Sequence, residues 1–243
     1  MNDATELRML MIGGALTSLG INAFLQHRLQ KTLARTPNLS NKDLKKVFSS
    51  AGIDQQFPTF PVNKLENAYY MEPSRSLPKE LEGKVSPELM GKVKQLGLIA
   101  YDPKYNKAGI MAHEAGHAAI RTTKPWYNPS RINQGALRTF GDVLRPAAGM
   151  LGSTIGLLTG NPLYGALSGL GAAAVLSTPT LVNEAQATGY ARRYLDSSTH
   201  KKTTRERNHK ALSKAYNTYL TGSLLSPAIS GALAGGWSHF HHA

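Results

Sequence analysis

The sequence predicts a mainly α-helical fold with a small β-sheet, an α+β chain whose hydrophobic helices associate with a membrane. Three observations lead there: charge-free apolar stretches with basic flanks, a proline-punctuated region holding two short strand patterns, and a helical run carrying His113-Glu114-Ala115-Gly116-His117. At 243 residues the chain can bury one substantial core, and length alone does not require a second.

Residues 7–25 form the first apolar stretch, about as long as a bilayer-spanning helix and without a small-residue cleavage pattern, so we expect it to be retained. A basic, helix-compatible run follows at 26–35. Ser40 or Asn41 is then placed to cap a helix reaching Ser50. Prolines 58, 61, 73, 78 and 87 break the next region into short pieces, with strands expected at 67–71 and 96–101.

From Lys107 onward Ile110, Met111, Ala115, Ala118 and Ala119 recur on a helical surface that Arg121 and Pro125 bring to an end. Residues 146–183 carry no charge, and Gly160-Asn161-Pro162 divides them into two halves, which predicts a helical hairpin at 143–182. Its Gly, Ala and Ser content permits close helix packing, either in a bilayer or as a buried hairpin of a soluble protein. A basic stretch at 200–214 precedes 215–238, which is charge-free, broken at Pro227 and long enough to span. The expected organisation is therefore an N-terminal membrane helix with its basic flank (1–36), a central domain (37–214) and a C-terminal hydrophobic segment with a His-rich tail (215–243).

With 28 Lys+Arg against 15 Asp+Glu the formal charge is +13, which favours anionic partners. The basic residues flank apolar stretches and no nucleic-acid module is recognisable, so an anionic lipid surface is the expected partner and nucleic acid is not. Arg138, Arg145, Arg192, Arg193 and the basic stretch at 200–214 place these flanks on the cytoplasmic side by the positive-inside rule. Cys is absent, so a transition-metal site has only His, Asp and Glu to draw on.

His113 and His117, four apart, lie on one helical face and can direct two imidazoles at a single ion, with Glu114 beside them to move a proton. A His-Glu-x-x-His match arises by chance in roughly one chain in a hundred of this composition. Gly116 lets another segment approach the helix between the two histidines. A third ligand is needed, and none follows within 118–124. Glu184, just after the apolar hairpin and at the expected start of a helix, is the best candidate; the competing account is a helix N-terminal acid favoured by the macrodipole. His239, His241 and His242 are read as a polar tail.

These residues resemble the membrane-bound gluzincins, including the heat-shock membrane zinc peptidases, the CAAX prenyl proteases and the bacterial neutral zinc metallopeptidases. The likeness rests on His113-Glu114-Ala115-Gly116-His117, on Glu184-Ala185-Gln186-Ala187, and more weakly on Asn67-Ala68-Tyr69 and Tyr101-Asp102-Pro103-Lys104. It implies a zincin-like core binding Zn2+ through His113, His117 and Glu184, with Glu114 as general base, a protein or peptide substrate, and cleavage beside or within the membrane. The chain departs from the pattern at Thr188, where several members have Asp, so a catalytically weak or inactive membrane assembly protein that keeps the zincin framework is the alternative. A lipid- or nucleic-acid-binding protein with an incidental motif is a third. Tyr190, Arg192, Arg193, Tyr194 and His200 are the nearby donors for stabilising an oxyanion.

Overall fold

A computed structural model describes residues 23–24, 27–54, 57–62, 68–73, 81, 85–124, 128, 131, 138–198 and 200–242. The fold is mainly helical with one three-stranded sheet. The stretch at 7–25, apart from residues 23 and 24, lies outside the described residues, as does Asn67. The chain divides into two compact units. One comprises the described parts of Met1–Arg28, Asn133–Val182 and Lys214–Ala243; the other comprises those of Leu29–Ile132 and Asn183–Ser213.

The second unit begins with α1 (Asn41–Ala51), whose N-cap Ser40 accepts a hydrogen bond from the Asp43 amide and whose C-cap Gly52 takes the left-handed conformation (φ 73°). The sheet follows as β1 (Thr59–Pro61), β2 (Tyr69–Met71) and β3 (Leu98–Tyr101). β3 is central, parallel to β1 and antiparallel to β2, with Tyr69 opposite Ala100 and Met71 opposite Leu98. Leu98, Ile99 and Ala100 are fully buried, as a central strand requires. Pro61 is tolerated because β1 is an edge strand. Val62, Met71, Leu81, Val93, Leu98 and Ala100 make one hydrophobic cluster on this sheet.

Between β2 and β3 runs α2 (Pro87–Leu96), a helix the proline-punctuated pattern concealed. Pro87 starts this helix: at its first position the missing N–H costs nothing, and Ser86 caps it by accepting from the Leu89 amide. β1 was concealed too, because three residues ending in proline carry almost no alternation signal.

The helix expected from Lys107 is α3 (Ala108–Thr123), which packs on α1 and on β2. Its N-terminus has no cap from its own flanking residue; instead buried Asn208 accepts a hydrogen bond from the Gly109 amide at 2.9 Å. Twelve of the sixteen α3 residues are buried, and seven of these are Ala or Gly, so neighbouring backbones come close.

The first unit holds α4 (Arg138–Thr159), 162–182 of α5 (Pro162–Ser197) and 214–242 of α6 (Lys202–His242). α4 and α5 meet at Gly160 (φ 59°) and Asn161, whose side chain caps α5 by accepting from the Leu163 amide. Two expectations fail here. Pro227 does not break the C-terminal segment, because α6 runs unbroken from the basic stretch to its end. Glu184 does not begin a helix: α5 continues through Pro179, leaving Glu184 in its interior, and the macrodipole account of this acid falls with it.

Glycine contacts organise this unit. A Cβ on Gly152 would lie 2.8 Å from Gly169 Cα, and one on Gly156 would lie 2.8 Å from the Gly235 amide nitrogen. Outside, Val143, Met150, Leu158, Leu163 and Val175 are all more than half exposed. Among the described helices α5 alone is long and apolar enough to cross a membrane.

Candidate metal centre

α3 and the 183–197 part of α5 build the site, and both lie in the second unit. Their contact depends on Gly116: a Cβ there would meet the Ala187 carbonyl oxygen at 2.9 Å and the Tyr190 Cβ at 3.0 Å. With only hydrogen at that point, the two backbones approach closely enough for one turn of α3 to face one turn of α5.

His113 and His117 project from that turn of α3, and Glu184 from the facing turn of α5. His113 Nε2 lies 3.0 Å from Glu184 Oε2, His117 Nε2 lies 3.5 Å from the same oxygen, and the two Nε2 atoms are 3.2 Å apart. A tetrahedral zinc site with metal–ligand bonds of about 2.0–2.1 Å has ligand atoms about 3.3 Å apart, so the three sides of this triangle match the edge of that coordination polyhedron. Glu184 is 1% exposed. The residues therefore form a buried His/His/Glu group able to hold a metal ion, with ligand types that suit zinc, and the fit comes from the spacing of their own donor atoms.

Thr188, one turn beyond Glu184, places Oγ1 3.3 Å from His113 Nδ1. If Nδ1–H donates to this hydroxyl, the Nε2 lone pair points toward the centre of the triangle, and the ring is held in the tautomer a metal ligand needs. The Thr188 hydroxyl can supply this hydrogen bond but carries no charge.

Glu114 is buried beside the triad and accepts a hydrogen bond from the Tyr70 amide at 2.6 Å, which ties the motif helix to strand β2. Burial is the main cause that pushes its carboxyl above the usual range, and Glu184 adds to the rise; His113, His117 and the Tyr70 amide pull the other way. Burial likewise raises the Tyr70 phenol, whose hydroxyl donates to the Leu96 carbonyl.

The Tyr70 amide contact was not expected from sequence. Its only signal was the weak Asn67-Ala68-Tyr69 likeness, which ends one residue short of it. Of the candidate oxyanion donors, Arg192 donates to Ser213 Oγ, while Tyr194 and His200 lie 3.5 Å apart in the wall of another cleft. Arg193 stacks its guanidinium 4.6 Å from the Tyr190 ring centroid. Tyr190 comes close to the motif helix at Gly116, where an added Cβ would lie 3.0 Å from the Tyr190 Cβ.

No protein-family model, curated protein or solved structure matches this chain.

Proposed function

We propose that this chain is a membrane-associated, zinc-dependent endopeptidase of the gluzincin type, with a zincin-like core in which His113, His117 and Glu184 hold zinc and Glu114 is the general base. The observation that carries the proposal is the triangle of 3.0, 3.2 and 3.5 Å formed by the two Nε2 atoms and Glu184 Oε2. When bound, zinc supplies Lewis-acid activation of water and of the scissile carbonyl. Glu114 then takes the proton from the attacking water and delivers it to the leaving amine as the peptide C–N bond breaks. Burial raises its proton affinity, which makes it a stronger base, and the Tyr70 amide keeps it oriented.

Membrane association draws on the packing of the first unit. Glycines lie at the helix contacts while large aliphatic side chains such as Leu158 and Val175 face outward. Small residues at helix contacts and large apolar ones outside suit lipid. The basic residues at 200–214 and Arg192 and Arg193 favour a cytoplasmic site. Thr188 in place of a carboxylate keeps a second reading open, a membrane assembly protein with the same framework and little or no turnover.

The test is metal analysis and proteolysis of purified wild type and of Glu114→Gln. Endopeptidase function requires about one zinc per chain, cleavage of a peptide panel and loss of that cleavage in Glu114→Gln. Bound zinc with no cleavage by wild type selects the assembly protein, and a well-folded chain that binds no zinc defeats both.

A further inference from the structure

A cleft of about 640 Å3 lies in the second unit between α1 and the end of α5 with the turn after it, and none of the metal-triad residues lines it. We propose that this cleft binds a phosphate group carried on a small organic moiety. The proposal stands independently of zinc and of peptidase activity.

Charge is concentrated on one wall. Lys42, Lys45, Lys46 and Ser49 fall at i, i+3, i+4 and i+7, so a single face of α1 turns three ammonium groups and a hydroxyl toward the cleft. Like charges at these spacings repel, a cost relieved when an anion sits among them.

Asp43 is the one carboxylate among the described lining residues, and it is already engaged. It accepts from Ser40 Oγ at 2.7 Å and pairs with Lys46 Nζ at 3.6 Å. Among the described residues neither Lys42 nor Lys45 has an ion-pair partner. The opposite wall brings the Tyr194 hydroxyl and the His200 ring, 3.5 Å apart. The Ser197 and Ser198 hydroxyls donate instead to the carbonyls of Tyr194 and Leu195.

Three lysines less one aspartate leave about two positive charges, which match the −1.5 to −2 of a phosphate monoester near pH 7. Lysine ammonium groups bind phosphate well as point charges. The volume falls in the range of about 300–1,000 Å3 typical of small-molecule sites and exceeds what a bare phosphate fills, which calls for an organic carrier. A soluble phosphate ester and a phospholipid headgroup share this chemistry.

The test uses the metal-free full chain in phosphatidylcholine nanodiscs, titrated with glycerol 3-phosphate by calorimetry and, separately, prepared with phosphatidic acid and followed by phosphorus NMR. Lys42→Gln/Lys45→Gln is compared with Lys92→Gln/Lys94→Gln, which removes the same charge from exposed positions of α2. At least one probe should bind wild type and the α2 variant equally and the α1 variant at least tenfold more weakly, with all three melting alike. Binding of glycerol 3-phosphate assigns a soluble ester, and binding of phosphatidic acid alone assigns a lipid headgroup. Should the α1 variant melt lower, Lys42→Arg/Lys45→Arg, which keeps the charge, must restore binding. The proposal is overturned if neither probe binds wild type, if both double variants lose affinity equally, or if the α1 variant binds as wild type does.

Discussion

Gly116→Ala tests the link between packing and metal binding, because two effects of one methyl group oppose each other. In an isolated helix the change favours folding by about 0.5–1 kcal/mol. Here the new Cβ would stand 2.9 Å from the Ala187 carbonyl oxygen, about 0.5 Å inside ordinary contact, and the obstacle is backbone rather than a flexible side-chain end. Overpacking of this kind costs about 1–3 kcal/mol. The expected net is a loss of up to about 2.5 kcal/mol, or a Tm lower by up to about 10 °C for a chain of this size. The same displacement parts α3 from α5, and metal–ligand distances tolerate only about 0.2 Å. Zinc affinity should therefore fall about 10–100-fold, comparable to the loss of an outer-shell partner. Differential scanning fluorimetry with and without zinc, together with competition against a chromophoric chelator, measures both effects. A Tm that rises with zinc affinity unchanged would show that Gly116 is only a helix filler and refute the close-approach account.

Thr188→Val removes the hydroxyl 3.3 Å from His113 Nδ1, so zinc should bind about tenfold more weakly while Thr188→Ser stays near wild type, as read by chelator competition. Asn208→Ala leaves the buried Gly109 amide without its acceptor and should cost about 1–3 kcal/mol in chemical denaturation, with no change in zinc stoichiometry in the folded fraction. For metal-free protein the raised Glu114 carboxyl sets the sign of a pH effect. The folded chain holds this proton more tightly than the unfolded one, so the contribution to stability is full below the ordinary value of 4.5 and is lost as pH rises through the raised folded value. Glu114→Gln, neutral throughout and still able to accept from Tyr70, should melt higher than wild type at pH 7.5 in chelator and with a flatter pH profile. Equal melting temperatures from pH 5 to 8 would contradict the burial argument.

Local signals account for the elements that were legible in advance. Ser40 before Asn41, the small and aliphatic residues after Lys107, and Gly160-Asn161 between two apolar halves each act within a few residues of where they stand, so pattern alone located α1, α3 and the α4–α5 turn. The expected strand at 96–101 survives as Leu98–Tyr101 because its partners bury both faces. Prolines misled twice, in opposite directions. The pattern reads Pro87 as a break although it initiates α2, and reads Pro227 as a break although α6 absorbs it. What decides each case is whether the missing N–H was needed: at a first helical position it is not, and inside a long packed helix one lost bond is outweighed by the rest.

At the site, the same distinction separates what spacing can reveal from what only packing supplies. His113, Glu114 and His117 are legible because the helical period alone puts them on one turn. Glu184 stands out in the sequence because it directly follows the apolar hairpin, where an unpaired carboxylate is costly, but it is held in the interior of α5 and not at the helix start its position suggests. The Tyr70 amide and Asn208 leave no such trace, because one acts through its backbone and the other caps a helix some hundred residues away in sequence. Both hold α3 against its neighbours, so the motif supplies the ligand types while partners remote in sequence help set the positional precision a metal demands. Loss of either contact should therefore weaken metal affinity through α3 without changing how many ions bind, even though neither touches a ligand atom.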